Sequence, residues 1–120
     1  MDKEEKKKLV LLEERRLKRI FSKADPKKKQ IVNRLAGKAA YQHVSLMEMQ
    51  DDIDENGYYE KFAQGKDQVP YDRRRPVVDA YNSMTASYQK YMKQLADMLP
   101  AGTAAETSDG FDDFINGRKD

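Results

Sequence analysis

The chain has 120 residues, of which 38% are hydrophobic and 37% are charged, and its net charge is +2. This length suffices for one small domain with a modest core, and oligomerisation is a common source of extra stability for such domains. The absence of Cys excludes a disulfide framework or a thiolate metal site and is typical of an intracellular protein. No apolar run approaches the roughly 20 residues of a membrane span, and no apolar signal region follows the first residues, so we expect neither membrane contact nor a leader.

The charges are segregated along the chain. Residues 1–38 carry 14 Lys/Arg against 6 Asp/Glu, whereas residues 39–72 carry 2 against 8. A basic N-terminal third indicates a polyanionic partner, and nucleic acid is the commonest polyanion in a cell. A solvated charged helix explains the same charge pattern equally well.

The first predicted helix covers residues 2–22. Its imperfect apolar face consists of Leu9, Leu12, Leu17, Ile20 and Phe21. A break follows, in which Asp25 is a good N-cap and Pro26 a good first residue for a second helix.

The second predicted helix runs from Pro26 to about Glu55. Its apolar stripe consists of Val32, Leu35, Ala39, Leu46, Met49 and Ile53. Gly37 favours a bend or a short break, since Gly inside a helix costs about 1 kcal/mol relative to Ala. The pair Asn56-Gly57 supplies a C-cap.

Residues 58–74 lose the helical period. Gly65 and Pro70 indicate an ordered loop, with an extended pair around residues 64–66. We expect its aromatic and aliphatic side chains to fold back onto the core: Tyr58, Tyr59, Phe62, Val69 and Tyr71.

The third predicted helix, residues 75–99, carries an apolar stripe that we call the seam. Its spacing alternates 4 and 3 through Val77, Tyr81, Met84, Tyr88, Tyr91, Leu95 and Met98. Pro76 suits a first helical position, and Pro100 with Gly102 ends the helix. A stripe at the 3.5-residue period packs either within its own chain or between copies, so we predict both core packing and a homo-oligomer interface here.

The end of the chain has a different composition. Residues 101–110 are small and polar, which is typical of a flexible linker. The acidic and aromatic run that follows has no role in a helical core, and its apolar residues are Phe111, Phe114 and Ile115.

The sequence therefore predicts an all-α fold, a small bundle of about three helices. The last is the long heptad-patterned helix, an ordered loop precedes it, and a flexible C-terminal tail follows it. We expect residues 1–100 to form a helical oligomerisation and DNA-binding domain and residues 101–120 to form the tail.

No motif indicates catalysis. Residues 52–57 match the first half of a calcium loop, but Ala63 stands where the loop requires a bidentate Glu. His43 is the sole histidine, and a helical His is usually a surface or half-buried polar group. We expect no enzymatic activity, no cofactor and no metal.

Two basic clusters are candidate phosphate sites. The lysine cluster, Lys27, Lys28 and Lys29, opens the second helix, where the helix dipole disfavours cations and an anionic partner would explain them. For the arginines at residues 73–75, an ion pair from Arg75 to Asp79 is the alternative to DNA. The predicted DNA-binding residues are Arg15, Arg16, Lys18, Arg19, Lys27, Lys28, Lys29, Arg34, Lys38, Arg73 and Arg74.

Four sequence runs between about residue 18 and residue 100 carry a family resemblance. They are Ile53-Asp-Glu-Asn-Gly57, Phe62-Ala-Gln-Gly65-Lys-Asp-Gln68, Arg75-Pro76-x-x-x-x-Tyr81-Asn82-x-Met84-x-x-x-Tyr88 and Leu95-x-x-Met98-Leu99-Pro100. In their order and spacing, the runs resemble the short, helix-rich small terminase subunits of tailed bacteriophages. Gln64 stands where Asn is expected in the family, and Arg75 stands where Ser is common.

The resemblance implies a non-catalytic DNA-packaging factor in the cytoplasm of a bacterial host. Such proteins assemble as rings or other oligomers and bind double-stranded phage DNA at the packaging start site. They deliver the DNA to the terminase large subunit, which holds the ATPase and nuclease activities. Phe111, Phe114 and Ile115 would then be a tethered peptide that binds the large subunit.

Two other functions fit the same residues. One is a DNA-binding regulator or accessory protein built as a dimeric helical bundle. The other is a structural coiled-coil adaptor that binds no DNA. Mass in solution distinguishes a ring from a dimer, and salt-dependent DNA binding distinguishes both from the adaptor.

Overall fold

A computed structural model describes residues 1–102, which form three helices and one β-hairpin. The helices are α1 (Lys3–Ile20), α2 (Lys29–Asn56) and α3 (Pro76–Asp97), and a 3₁₀ turn, Pro26–Lys28, precedes α2. The hairpin joins α2 to α3 through strands β1 (Tyr59–Phe62) and β2 (Tyr71–Arg74). The chain is therefore mostly helical, as predicted, but it is not all-α. The predicted linker and its acidic-aromatic run lie almost wholly outside the described residues.

Local capping sets the helix boundaries. The Asp2 carboxylate accepts a hydrogen bond from the Glu5 N–H at 2.8 Å and caps α1, and Asp25 accepts from the Lys27 N–H at 3.0 Å. At the other end of α2, Gly57 has φ +83° and donates its N–H to the Ile53 carbonyl at 2.7 Å. A positive φ favours Gly, so the predicted Asn56-Gly57 cap is confirmed. No helix among residues 1–102 has the length and apolar character to cross a bilayer.

The central helix, α2, packs against both other helices. Lys6 of α1 pairs with Glu48 at 2.8 Å, and Gln42 donates to the Ser87 hydroxyl of α3 at 2.9 Å. Lys6 lies near the start of α1 and Arg75 at the start of α3, and both pair with acids near the end of α2, so both outer helices run antiparallel to α2. The core cluster lies where all three helices meet: Leu17, Ile20, Phe21, Val32, Ala36, Ala39, Ala40 and Leu95.

The helix α2 continues through Gly37 without the short break that was one of the two alternatives there. A Cβ added at Gly37 would lie 3.7 Å from an Oε atom of Glu14, an ordinary contact distance. The glycine is therefore not needed for a close approach. Packing on both sides of α2 offsets its helix penalty of about 1 kcal/mol.

The hairpin packs on itself rather than on the core. Phe62 and Tyr71 make an edge-to-face contact with ring centres 6.0 Å apart, and the Arg73 guanidinium lies 3.7 Å from the Phe62 ring centre. The predicted burial against the core is wrong for four residues, which are exposed: Tyr58, Tyr59, Val69 and Tyr71. Side chains alternate between the two faces of a strand, so residues on one face contact residues of the neighbouring strand on that same face. A helical spacing of apolar residues does not predict such cross-strand contacts.

The seam of α3 packs against the other helices of the same chain. Leu95 is 0% exposed within the core cluster, and Tyr88, Tyr91 and Met98 pack against that cluster. The prediction of core packing is therefore confirmed. Leu95 offers no surface to a second copy, whereas Val77, Tyr81, Met84, Tyr88, Tyr91 and Met98 are half-buried. For these six, the interface stays a prediction.

Leu95→Ala should lower the free energy of unfolding by about 2–5 kcal/mol, because it leaves a cavity where three helices meet. The matched control is Leu11→Ala on α1, where the side chain is 51% exposed. Urea denaturation of both variants measures the difference. Equal effects of the two substitutions would contradict the burial of Leu95 between the three helices.

Candidate nucleic-acid interface

One end of the bundle concentrates positive charge. Residues 15–38 contain ten Lys/Arg and a single acid, Asp25. Because α1 and α2 are antiparallel, the last turns of α1 lie beside the first turns of α2. Lys18 of α1 and Lys29 of α2 line the same pocket, which has a volume of about 430 Å³. We call this region the basic end.

The α2 part of the basic end is open to solvent. Lys27, Lys28, Lys29, Arg34 and Lys38 are all exposed. Within residues 1–102, no carboxylate pairs with any of these five side chains. Lys27, Arg34 and Lys38 recur at near-helical spacing and span about 16 Å, the length of about five base-pair steps.

The cations in the α1 part of the basic end differ in whether a carboxylate pairs with them. Arg15 and Arg19 are exposed, like the α2 cations. Arg16 instead donates from Nε and Nη2 to the two Glu13 carboxylate oxygens, each at 2.9 Å, and Lys18 lies 2.9 Å from Glu14. A neighbouring carboxylate offsets the charge that Arg16 and Lys18 could offer to a phosphate.

The arginines of the hairpin all have acidic partners. Arg73 pairs with Glu60 directly across the strands, and Arg74 lies 3.1 Å from Asp79. The predicted Arg75–Asp79 ion pair is therefore wrong, since Asp79 pairs with Arg74. These contacts do not place Arg73 and Arg74 beside the basic end. Their contact with DNA stays a prediction, and a phosphate would have to compete with the carboxylates for these two side chains.

Arg75 anchors the base of the hairpin. It donates to an Asp52 carboxylate oxygen at 2.7 Å and to the Gly57 carbonyl at 3.0 Å, and its N–H donates to the Tyr58 carbonyl at 2.8 Å. The Asn56 amide, also donating at 2.7 Å, and then Arg75 lower the pKa of the Asp52 carboxyl. No local sequence pattern predicts this contact, because Asp52 and Arg75 are 23 residues apart.

The run that matches half of a calcium loop, residues 52–57, contributes to this contact with Arg75. Asp52, its first acidic position, is engaged by Asn56 and Arg75. Among residues 1–102, no three His, Asp or Glu side chains gather in a way that could hold a metal ion. The acidic end of α2 thus takes part in the fold through its contacts with arginine.

The charges of α2 run against its own dipole. Its first turn contains no acid and its last turn no base, whereas α1 has Glu4 and Glu5 in its first turn and Lys18 and Arg19 in its last. A favourable charge at a helix end contributes about 0.3–1 kcal/mol, and a reversed charge loses a similar amount. The lysine cluster therefore does not stabilise the helix that carries it.

Comparison of the chain with protein-family models, with curated proteins and with solved structures found no match.

Asp52→Asn should lower the free energy of unfolding at pH 7, because it removes the charge that Arg75 contacts. The folded-state pKa of Asp52 is lowered, so its stabilisation is present above the unfolded pKa of about 3.9 and is lost as pH falls through the folded value. The stability difference between parent and variant should therefore shrink in acid. Urea denaturation at several pH values measures it.

Asp54→Asn is the matched control, because Asp54 is exposed on the same helix end and has no ion pair among residues 1–102. A pH-independent difference for Asp52→Asn, or an equal response of Asp54→Asn, would contradict the anchoring role of Asp52.

Proposed function

We propose that the chain is a small terminase subunit, a non-catalytic DNA-packaging factor of a tailed bacteriophage. It binds double-stranded DNA at the packaging start site as a homo-oligomer and delivers that DNA to the large ATPase-nuclease subunit in the bacterial cytoplasm. The observation that carries the proposal is the surface of five exposed cations on the 3₁₀ turn and the first turns of α2, which lack carboxylate partners in the described chain. The four sequence runs that resemble the family support the same conclusion.

The basic end has the chemistry of phosphate binding. Lys and Arg that contact phosphates release condensed counterions, and this release supplies most of the sequence-independent affinity for DNA. The lysines oppose the helix dipole, so a bound polyanion would relieve a local repulsion that the folded chain otherwise retains.

The seam supports assembly. Six of its seven residues keep part of their surface exposed on α3. A second copy could therefore bury the remaining seam surface. Phe111, Phe114 and Ile115 would bind the large subunit, on the far side of a linker from the bundle.

Replacing Lys27, Lys28 and Lys29 together by Ala should weaken DNA binding and reduce the slope of log affinity against log salt by about 2 to 3, since each phosphate contact contributes about 0.9. Fluorescence anisotropy with labelled duplex DNA across a salt series measures this slope.

The matched control replaces Lys3, Lys7 and Lys66 by Ala, which removes the same charge from exposed lysines that have no ion pair among residues 1–102 and lie outside the basic end. Equal loss for both triple variants would show that net charge alone drives binding. An unchanged slope in the first variant would remove the lysine cluster from the site. Light scattering on the same samples distinguishes a ring from a dimeric regulator.

Ending the chain after Pro100 should leave the bundle folded, because the core cluster lies entirely in residues 17–95. The shortened chain should still bind DNA but should no longer co-purify with the large subunit. Thermal unfolding and co-purification test the two halves of this prediction. Undiminished co-purification would refute the role of the last residues.

A further inference from the structure

An apolar groove between α1 and α2 has no occupant among residues 1–102. It is lined by Leu9, Leu12, Glu13, Arg16, His43, Val44 and Met47, and its volume is about 260 Å³. Leu12 is 60% exposed, and Met47 is exposed as well. Large apolar side chains at the mouth of a groove are typical of a surface that another segment covers.

The α1 side of the groove has a basic rim. Lys8, Arg15 and Arg16 lie three or four residues from Leu12, so they are its neighbours on the helix surface. Lys8 and Arg15 are exposed, and only Arg16 is paired with the groove residue Glu13. A segment that fits here needs apolar side chains for the groove and acids for its rim.

The last part of this chain has that composition. Residues 103–117 contain no Lys or Arg and have four acids: Glu106, Asp109, Asp112 and Asp113. Phe111, Phe114 and Ile115 follow the spacing i, i+3, i+4 that an amphipathic segment uses to enter a hydrophobic groove.

The chain is long enough to reach its own groove. His43 in the groove lies beside Tyr88 of α3, with ring centres 6.1 Å apart. Tyr88 is about 14 Å along the helix axis from Asp97, where α3 ends. Phe111 is nine positions after Gly102, and the chain between them spans up to about 30 Å.

We propose that residues 111–115 dock in the α1–α2 groove of their own chain. Phe111 and Phe114 cover Leu12 and Met47, while Asp112 and Asp113 face Lys8 and Arg15. A short flexible tether gives an effective concentration of about 1 mM, so a contact with a dissociation constant of ~1 mM is half occupied. Docking needs neither DNA nor a second protein, and thus goes beyond the proposed function. If the proposed function is correct, residues 111–115 must leave the groove before they bind the large subunit.

The chain contains no Trp, so Phe114→Trp in the full-length protein gives one fluorophore at the docking segment. Its emission should lie at shorter wavelength than that of a free peptide of residues 106–120 carrying the same Trp. Adding Leu12→Glu should abolish this shift, because it places a negative charge in the groove and removes the apolar contact. Leu12 is mostly exposed, so the substitution should leave the helices intact, as circular dichroism will verify.

Leu11→Glu is the matched control, because Leu11 is also exposed on α1 but does not line the groove. It should keep the short-wavelength emission. The proposal is overturned by emission equal to that of the free peptide, or by equal effects of the two Glu substitutions. Emission that changes with dilution would place the segment on a second copy and would also overturn it. No DNA or large subunit is present, so failure of the proposed function would leave these outcomes unaffected.

Discussion

The close approach of three helices at the alanines of α2 is the constraint on which the rest of the structure depends. Ala36, Ala39 and Ala40 have no exposed surface, and their small side chains let α1 and α3 pack closely on either side of one helix. Leu17 and Leu95 then share one core cluster. Because both outer helices run antiparallel to α2, this packing brings the basic C-terminal turns of α1 next to the basic N-terminal turns of α2.

Packing outweighs the repulsion that it creates. Burying a Leu, Ile or Phe side chain contributes about 1.5–3 kcal/mol, whereas a charge at the wrong end of a helix loses about 0.3–1 kcal/mol. Phe21, Leu17, Ile20, Leu95 and Val44 are all fully buried, so the core can hold like charges together at the basic end. Salt screens exposed charges, so this repulsion is greatest at low ionic strength, where a polyanion also binds most strongly.

The sequence predicted those features whose causes are local. Asp25 and the Asn56-Gly57 pair act within one turn, so the break before α2 and its end were correctly placed. Contacts between distant residues were missed, such as Asp52 with Arg75. The seam pattern could not distinguish core packing from a subunit interface, because an apolar stripe is expected in both. The burial of Leu95 shows that the seam packs at least partly within its own chain.

Two basic clusters that look alike in the sequence have different surroundings in the fold. The arginines at residues 73–75 lie where the chain also places Asp52, Glu60 and Asp79, and their charges are used to hold the hairpin and its base. The lysine cluster lies at the opposite end of α2, about 42 Å away along a 28-residue helix, where Asp25 is the single nearby acid in the sequence. Because the two clusters lie at opposite ends of one helix, Asp52, Glu60 and Asp79 are far from the lysine cluster. The charge of the lysines remains available to an external anion, because residues 1–102 place no paired carboxylate beside them.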